Sequence, residues 1–498
     1  MTTSAYQKLE AKFRRQMAIE QASSILHWDA ATMMPAGSSE GRGEQLSVLA
    51  VLAHETLTGS ETADLLDEAE EATFELDDWQ AANLKEMRRQ WLHANAVPSE
   101  LVEKMAKASN DCEIQWRQAR AASDFSAVKD QMQRVLDLTI ESGKAKAEAF
   151  NKSVYDALLD QYEPDGSVAT IEALFSDLQS WLPKLIGDAI EKQESQPAPL
   201  PLDGDFSIEN QKSLGEALMN TVGFDFNKGR LDVSAHPFCG GVPDDVRITT
   251  RYSEDDFTSA LMGVLHETGH AMYEANLPSE WRYQPVGSSR GMSVHESQSL
   301  LVEMQVCRGE NFLSYLAPKA KEVFHGKGNG WTGENLSQLY TKVERGFIRV
   351  EADEATYPAH VILRFELEKA MIEGDLTLSE LPTAWNDRME QLLGVTPPND
   401  GLGCLQDIHW YSGAWGYFPT YTLGAMTAAQ LFGAAKTQKA EIPSALRNGD
   451  FAPLMTWLKE NVHSKASSQS SDEIVKQATG SSLTTEVFKK HLIDRYLA

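Results

Sequence analysis

The segment that most restricts this chain is His266-Glu267-Thr268-Gly269-His270, set in LMGVLHETGHAMYEA (261–275). Residues four apart on an α-helix stand one turn apart on the same face. Two imidazoles so placed can converge on one tetrahedral Zn2+ at ~2.0–2.1 Å, which requires this stretch to be helical. Glu267 sits beside that face and reaches a water activated by the metal without being a ligand itself. The bland alternative is a pair of helix-face histidines satisfied by hydrogen bonds. His54-Glu55-Thr56-Leu57-Thr58 provides a contrast, since it begins in the same way but lacks the second histidine. His54 therefore reads as an ordinary helical residue.

A hydrolytic zinc site needs a third protein ligand and one open position. No histidine follows closely in AMYEANLPSEW (271–281). The next donors are His295 and Glu296, in a segment that reads as a second helix starting near Ser293. Adjacent helical residues point about 100° apart, so only one of the two faces the metal. Glu296 lies 26 residues after His270, enough for a loop and an antiparallel return. A glutamate there gives the His2Glu donor set of zinc hydrolases, which favours Glu296. His295 then faces the substrate or supports a ligand. Gly269, with no side chain, marks a place where another backbone can approach.

The rest of the chain reads as mainly α. Residues 5–22 and 80–160 are rich in good helix formers, with apolar residues at spacings of three and four. A polar, proline-bearing stretch at 191–201 predicts a loop, with a possible subdomain boundary near 191–206 in an otherwise single 1–498 domain. Residues 229–252 change character: short β-branched segments flank Cys239-Gly240-Gly241-Val242-Pro243 and predict a small antiparallel sheet. Ser253 with Asp256 resembles a capping box for a helix starting near 255. HSKASSQSSDE (463–473) predicts a polar loop before a last short helix. GNGWTG (328–333) fits Gly-x-Gly-x-x-Gly, but no strand precedes it, so it predicts a surface loop running into a helix.

Charge narrows the function further. Lys and Arg number 45 against 73 Asp and Glu, a formal net charge of −28, which disfavours binding to nucleic acid or to an anionic membrane. The four cysteines are scattered, which argues against a zinc ribbon or a disulfide framework. No apolar stretch of membrane-spanning length and no secretory leader is apparent. The expectation is a cytoplasmic protein.

Further motifs carry a family resemblance. They are His236-Pro237-Phe238, Asp245-Val246-Arg247-Ile248-Thr249, His295-Glu296-Ser297-Gln298, Ile348-Arg349-Val350-Glu351-Ala352-Asp353, and Gly403-Cys404-Leu405-Gln406-Asp407-Ile408-His409-Trp410. With HisTrpAspAlaAlaThrMetMetPro (27–35) and GlyTyrPheProThrTyr (416–421), the chain resembles the thermostable metallocarboxypeptidases of the carboxypeptidase Taq type over most of its length. Ala425, where the family pattern suggests Asn, is a minor departure that bears on local packing. The resemblance implies a large helical, ellipsoidal metallopeptidase fold with a long central groove and a small sheet beside the motif helix. It implies a homodimer with one Zn2+, or Co2+, per subunit. It also implies release of single residues from peptides with a free C-terminus, and it strengthens Glu296 as third ligand.

Roles follow from zinc chemistry and this resemblance together. Glu267 is the general base and then the acid towards the leaving amine. Tyr417, Tyr421, His236 and His409 are candidate oxyanion donors, and the resemblance favours Tyr421. An arginine fork suits the substrate carboxylate. Arg349 is favoured over Arg247, which can instead pair with Asp245 or hold the sheet. Asp407 or Asp353 can accept the outer N–H of a ligand histidine. Trp410, Tyr411, Trp415 and Tyr417 read as core more than as substrate subsites. An edge of the small sheet can also guide an extended peptide past the metal. The competing readings are a zinc endopeptidase or dipeptidase with the same clamp, a hydrolase of non-peptide amides, and a helical scaffold with a structural metal.

Overall fold

The computed structural model describes residues 4–498; Met1–Thr3, at the start of the segment read as leaderless, lie outside them. Twenty α-helices, one π turn and a three-stranded sheet follow one another along these residues. Among the described residues, no helix is long and apolar enough to cross a membrane.

Polar caps mark the start of two of the four N-terminal helices. Ser4 and Gln7 form a capping box that starts helix Ala5–Thr32, ten residues longer than the 5–22 expected. Asp77 and Gln80 form another before Asp78–Asn95. These helices, with Ser39–Thr58 and Glu61–Glu71 between them, enclose an apolar core of their own around Leu9, Phe13, Leu66 and Met87. The 80–160 region is divided into helices at Pro98 and at Ser123 and Asn151, which adopt left-handed φ values of 53° and 51°. Those two residues end their helices by turning N–H groups back onto the last carbonyls.

The larger core runs from Ala108 to Tyr496 and includes Trp385, Trp415 and Trp457. The expected loop begins after helix Val168–Glu194 and is stitched to the rest. Asn335 bonds both the N–H and the carbonyl of Leu200, and Asp203 accepts the N–H groups of Lys327 and Gly328. This explains the decoy glycines. A Cβ on Gly328 would lie 2.9 Å from Asp203, and one on Gly330 2.8 Å from the Pro201 carbonyl. They allow two loops to pack closely, and the segment runs on into helix Gly333–Tyr340 as expected.

The sheet corrects the antiparallel expectation. Strands β1 (Gly229–Val233), β2 (Phe238–Val242) and β3 (Asp245–Thr250) lie in the order β1-β3-β2. The β2–β3 hairpin is antiparallel, with Gly240 opposite Arg247, but β1 runs parallel to β3, with Arg230 opposite Arg247. The chain reverses at 234–237 and again at 243–244, so β3 returns in the direction of β1 and slots between its predecessors. The intervening turn and β2 supply the crossover a parallel pair needs. Leu231, Val246 and Ile248 then pack on Val264 and Ala271 of the motif helix.

Two further boundaries differ from the sequence reading. Asp256 itself caps the motif helix, accepting from Thr258 and Ser259, while Ser253 bonds the Asp255 N–H instead. The 463–473 stretch is not a loop throughout. His463 is buried, and Ser470 with Glu473 forms a capping box that starts helix Ser471–Thr479, ahead of the last helix Thr485–Tyr496.

Candidate metal centre and active site

The motif helix spans Phe257–Ala275 and buries Leu261, Val264, Leu265, Thr268 and Tyr273. His266 and His270 rise from it with ring centroids 5.0 Å apart. The return helix, Met292–Leu300, crosses it at Gly269, where a Cβ would lie 2.4 Å from the Gln298 carbonyl and 2.6 Å from Ser299 Cα. That crossing brings Glu296 over the histidines. Its Oε2 is 3.4 Å from His270 Nε2 and 4.0 Å from His266 Nε2. A second glycine supports it from behind: a Cβ on Gly424, in helix Pro419–Gln438, would lie 2.9 Å from Glu296 Cβ. The start of the return helix is held by Glu163 and the Tyr162 carbonyl, which accept the N–H groups of Ser293 and Met292.

These residues fit a divalent metal. Potential donor atoms of His266, His270 and Glu296 all lie within 4.8 Å of one another. Tetrahedral ligands at ~2.0–2.1 Å stand about 3.3 Å apart, a spacing Glu296 and His270 already have and to which His266 would close. Both Nε2 atoms face the carboxylate, and His270 Nδ1 is buried without a hydrogen-bond partner. Burial opposes charge on His266, but its Glu303 hydrogen bond and the Glu296 carboxylate outweigh this and push it up to about 10. His270, buried and facing His295 and His266, is pulled down to about 4. Burial opposes ionisation of Glu296, yet His270 and His266 hold it down at about 2. Glu267, also buried, is pushed up to about 7. A carboxyl near neutrality is poised to take and return a proton.

The outer contacts depart from the sequence reading. His266 Nδ1 meets Glu303 Oε2 at 2.9 Å, not Asp407 or Asp353. Asp353 is engaged at the start of helix Tyr357–Glu373, accepting the N–H groups of Ala355 and Thr356. Asp407 is engaged by Arg349 Nη2 at 2.7 Å and Arg364 Nε at 2.6 Å. Both carboxylates are thus committed to donors nearer in the fold. His295 bonds Glu274 at 2.8 Å and stacks on His270 with ring centroids 4.5 Å apart.

A second cluster adjoins the first across helix Pro419–Gln438. The Arg349 guanidinium lies 4.6 Å from the Tyr421 ring centroid, and His409 Nε2 lies 3.2 Å from the Tyr421 hydroxyl. Tyr417 packs edge-on to Tyr421. His409 is pulled down to about 4 by burial and so is neutral. Burial and the nearby carboxylates outweigh Arg349 to push the Tyr421 hydroxyl up to about 12, which keeps its proton available for donation. Arg349 and Arg364 share one carboxylate, leaving one positive charge unmatched between these three. Trp410, Tyr411 and Trp415 are buried as core.

Residues 8–496 match the family described as carboxypeptidase Taq (M32) metallopeptidase. The chain belongs to that family. Thermostable carboxypeptidase 1 of Thermus thermophilus is 35% identical over 99% of this chain and 98% of its own. Carboxypeptidase 1 of Bacillus subtilis is 31% identical over 96% and 95%. Metallocarboxypeptidase 1 of Trypanosoma cruzi superposes over 100% of both chains with a TM-score of 0.97 at 38% identity. As an M32 family member the chain is a metal-dependent carboxypeptidase with the mainly helical fold expected.

Two predicted residues stand apart from these clusters. Arg247 is tied to Asp245, with Nη2–Oδ2 at 2.5 Å, and lies 4.3 Å from the Trp28 ring centroid. It joins the sheet to the first helix. The His236 side chain is exposed and has no hydrogen-bond partner among the described residues. Glu303 and Arg364 were missed. Glu303 stands seven residues after Glu296, a same-face spacing, and Arg364 interrupts the apolar run ValIleLeuArgPhe (361–365).

Proposed function

We propose that this carboxypeptidase releases single residues from the free C-termini of peptides, using one divalent ion per subunit held by His266, His270 and Glu296. Zinc is the ion the donor set favours, with cobalt as the alternative. When bound, the ion supplies a Lewis acid and lowers the pKa of a coordinated water. Glu267 takes the proton of the attacking water and returns it to the leaving amine, which its position beside the clamp and its raised pKa support. The Tyr421 hydroxyl donates to the oxygen that becomes negative, with neutral His409 orienting it.

The observation that carries the exopeptidase reading is the Arg349–Asp407–Arg364 group. Its unmatched positive charge, buried beside Tyr421, suits a substrate carboxylate. Arg349 is the fork of choice, since Arg247 is already occupied by Asp245. Residues 1–498 are read as one domain; the apolar core shared on both sides of the 195–207 loop argues against a boundary there. The four free cysteines support a reducing, cytoplasmic setting. The homodimer rests on the family resemblance alone, and sedimentation would measure it.

The deciding experiment digests one peptide with a free C-terminus and its amidated twin, beside Glu267→Gln. Stepwise loss of single residues from the free peptide only, abolished in Glu267→Gln, is the expected result. Internal cuts in both peptides would overturn carboxylate recognition in favour of an endopeptidase.

A further inference from the structure

The return helix does not end as an α-helix. It continues as a π turn over Leu301–Cys307, closed by the Arg308 N–H reaching back to the Glu303 carbonyl at 3.0 Å. Such turns are rare, and the last carbonyls of any helix lack partners within it. Here the partner comes from the far end of the chain. Arg495, in the last helix, donates from Nη1 to the Met304 carbonyl at 2.5 Å and from Nη2 to the Gln305 carbonyl at 3.1 Å. Its Nη1 also meets Glu354 Oε2 at 2.8 Å, and Gln305 Nε2 donates to the other oxygen of that carboxylate at 2.6 Å.

The residue just before those two carbonyls is Glu303. One of its oxygens meets His266 Nδ1, and the other accepts from Arg308 Nη2 at 2.6 Å. A planar fork across two successive peptide groups fixes their orientation, and hence the direction in which Glu303 projects. We propose that Arg495 is a positioning residue for the metal centre, acting on His266 through the π turn and Glu303. This rests on the reading of His266, His270 and Glu296 as the metal-holding set.

A cavity of about 830 Å3, lined in part by Gln305, Arg308, His491 and Arg495, opens beside this fork. Water entering it can satisfy the Met304 and Gln305 carbonyls once the guanidinium is removed. Loss of Arg495 also takes a cation from the buried Glu354, so the variant loses stability as well as orientation and its folding is checked before binding is read.

The test is a titration of the metal-free, full-length protein with Co2+ against a competing chelator, read by Kd and by the visible absorption of bound cobalt. Arg495→Ala is expected to weaken binding about 10–100-fold, the range for outer partners of a ligand histidine, and to change the cobalt spectrum. Arg495→Lys recovers part of the loss. Tyr496→Phe removes a different bond to the same Glu354, at 3.1 Å, without touching the π turn, and leaves Kd and spectrum unchanged. His266→Ala tests the underlying reading: undiminished cobalt binding in that variant would overturn the metal assignment itself. If His266→Ala abolishes binding while folded Arg495→Ala keeps the wild-type Kd and spectrum, the positioning role is wrong. An equal loss in Tyr496→Phe would also overturn it, pointing to general loosening of the last helix. Should Arg495→Ala fail to fold, Arg495→Gln, which keeps one donor, decides by the same criteria.

Discussion

Glu303 Oε2 lies 2.9 Å from Nδ1 of His266, the first histidine of the clamp. The bond leaves Nε2 facing Glu296 and selects the ring orientation a metal requires. Glu303→Ala should weaken zinc affinity by about 10–100-fold, measured by chelator competition. Glu303→Gln, which keeps one acceptor oxygen, should lose less. Equal affinity in Glu303→Ala and the wild type would mean that packing alone orients His266.

The crossing at Gly269 makes a second prediction. A Cβ there meets backbone atoms of Gln298 and Ser299, which cannot swing aside as a side chain would. Gly269→Ala should cost about 1–3 kcal/mol or more and move Glu296 away from the histidines. Gly263, on the same helix, has nothing within 4 Å of its Cβ position. Gly263→Ala should be neutral or stabilise by up to about 1 kcal/mol. Thermal unfolding of the pair separates a packing constraint from helix propensity. Equal melting temperatures would remove the close-approach explanation.

Glu368 makes the pH prediction. It is fully buried and accepts from Tyr155, Trp410 and the Gly416 N–H, with no cation beside it. Burial pushes it up to about 7. A carboxyl raised in the folded state binds its proton more tightly there than in the unfolded chain. Its contribution is therefore complete below the unfolded value near pH 4.3 and is lost as pH rises towards 7. The loss over that window is about 3 kcal/mol, from a shift of roughly two to three pK units. Glu368→Gln should remove this fall, so the wild type loses stability relative to the variant between pH 4.5 and 7. Parallel curves for the two proteins would show that Glu368 titrates normally.

The helical clamp was legible because its chemistry and its periodicity coincide. His266 and His270 must be four apart to share an ion, and four apart is also one helical turn. Glu296 was legible for a related reason, since a loop and a return helix fit the interval. The partners of Asp407 were not, because Arg364 lies 43 residues before it and meets it only through tertiary packing. The strand order failed similarly. Alternation shows which residues form strands, but it does not show that β3 enters between β1 and β2. Glu303 is within reach of a same-face argument from Glu296 on a regular helix, but its contact with His266 is made from a π turn that periodicity does not show.

Arg349 and Arg247 were the two candidate forks for the substrate carboxylate, and their surroundings now separate them. Arg247 has Asp245 to itself and lies over the Trp28 ring, so its charge is already matched. Arg349 shares Asp407 with Arg364 and stands over Tyr421, so a second anion is needed to balance the group. Arg349→Lys keeps the charge but loses the planar fork. Losing a charge-assisted hydrogen bond costs about 1.5–3 kcal/mol, or roughly 10–100-fold in kcat/KM. Because the carboxylate does not change during the reaction, most of that loss should appear as a higher KM. Arg247→Lys should leave kcat/KM near wild type while lowering the melting temperature through the sheet and the first helix. Steady-state kinetics on one free-carboxylate peptide decides between them. If KM rises in Arg247→Lys and not in Arg349→Lys, the substrate enters from the sheet side and the assignment of the carboxylate site is reversed.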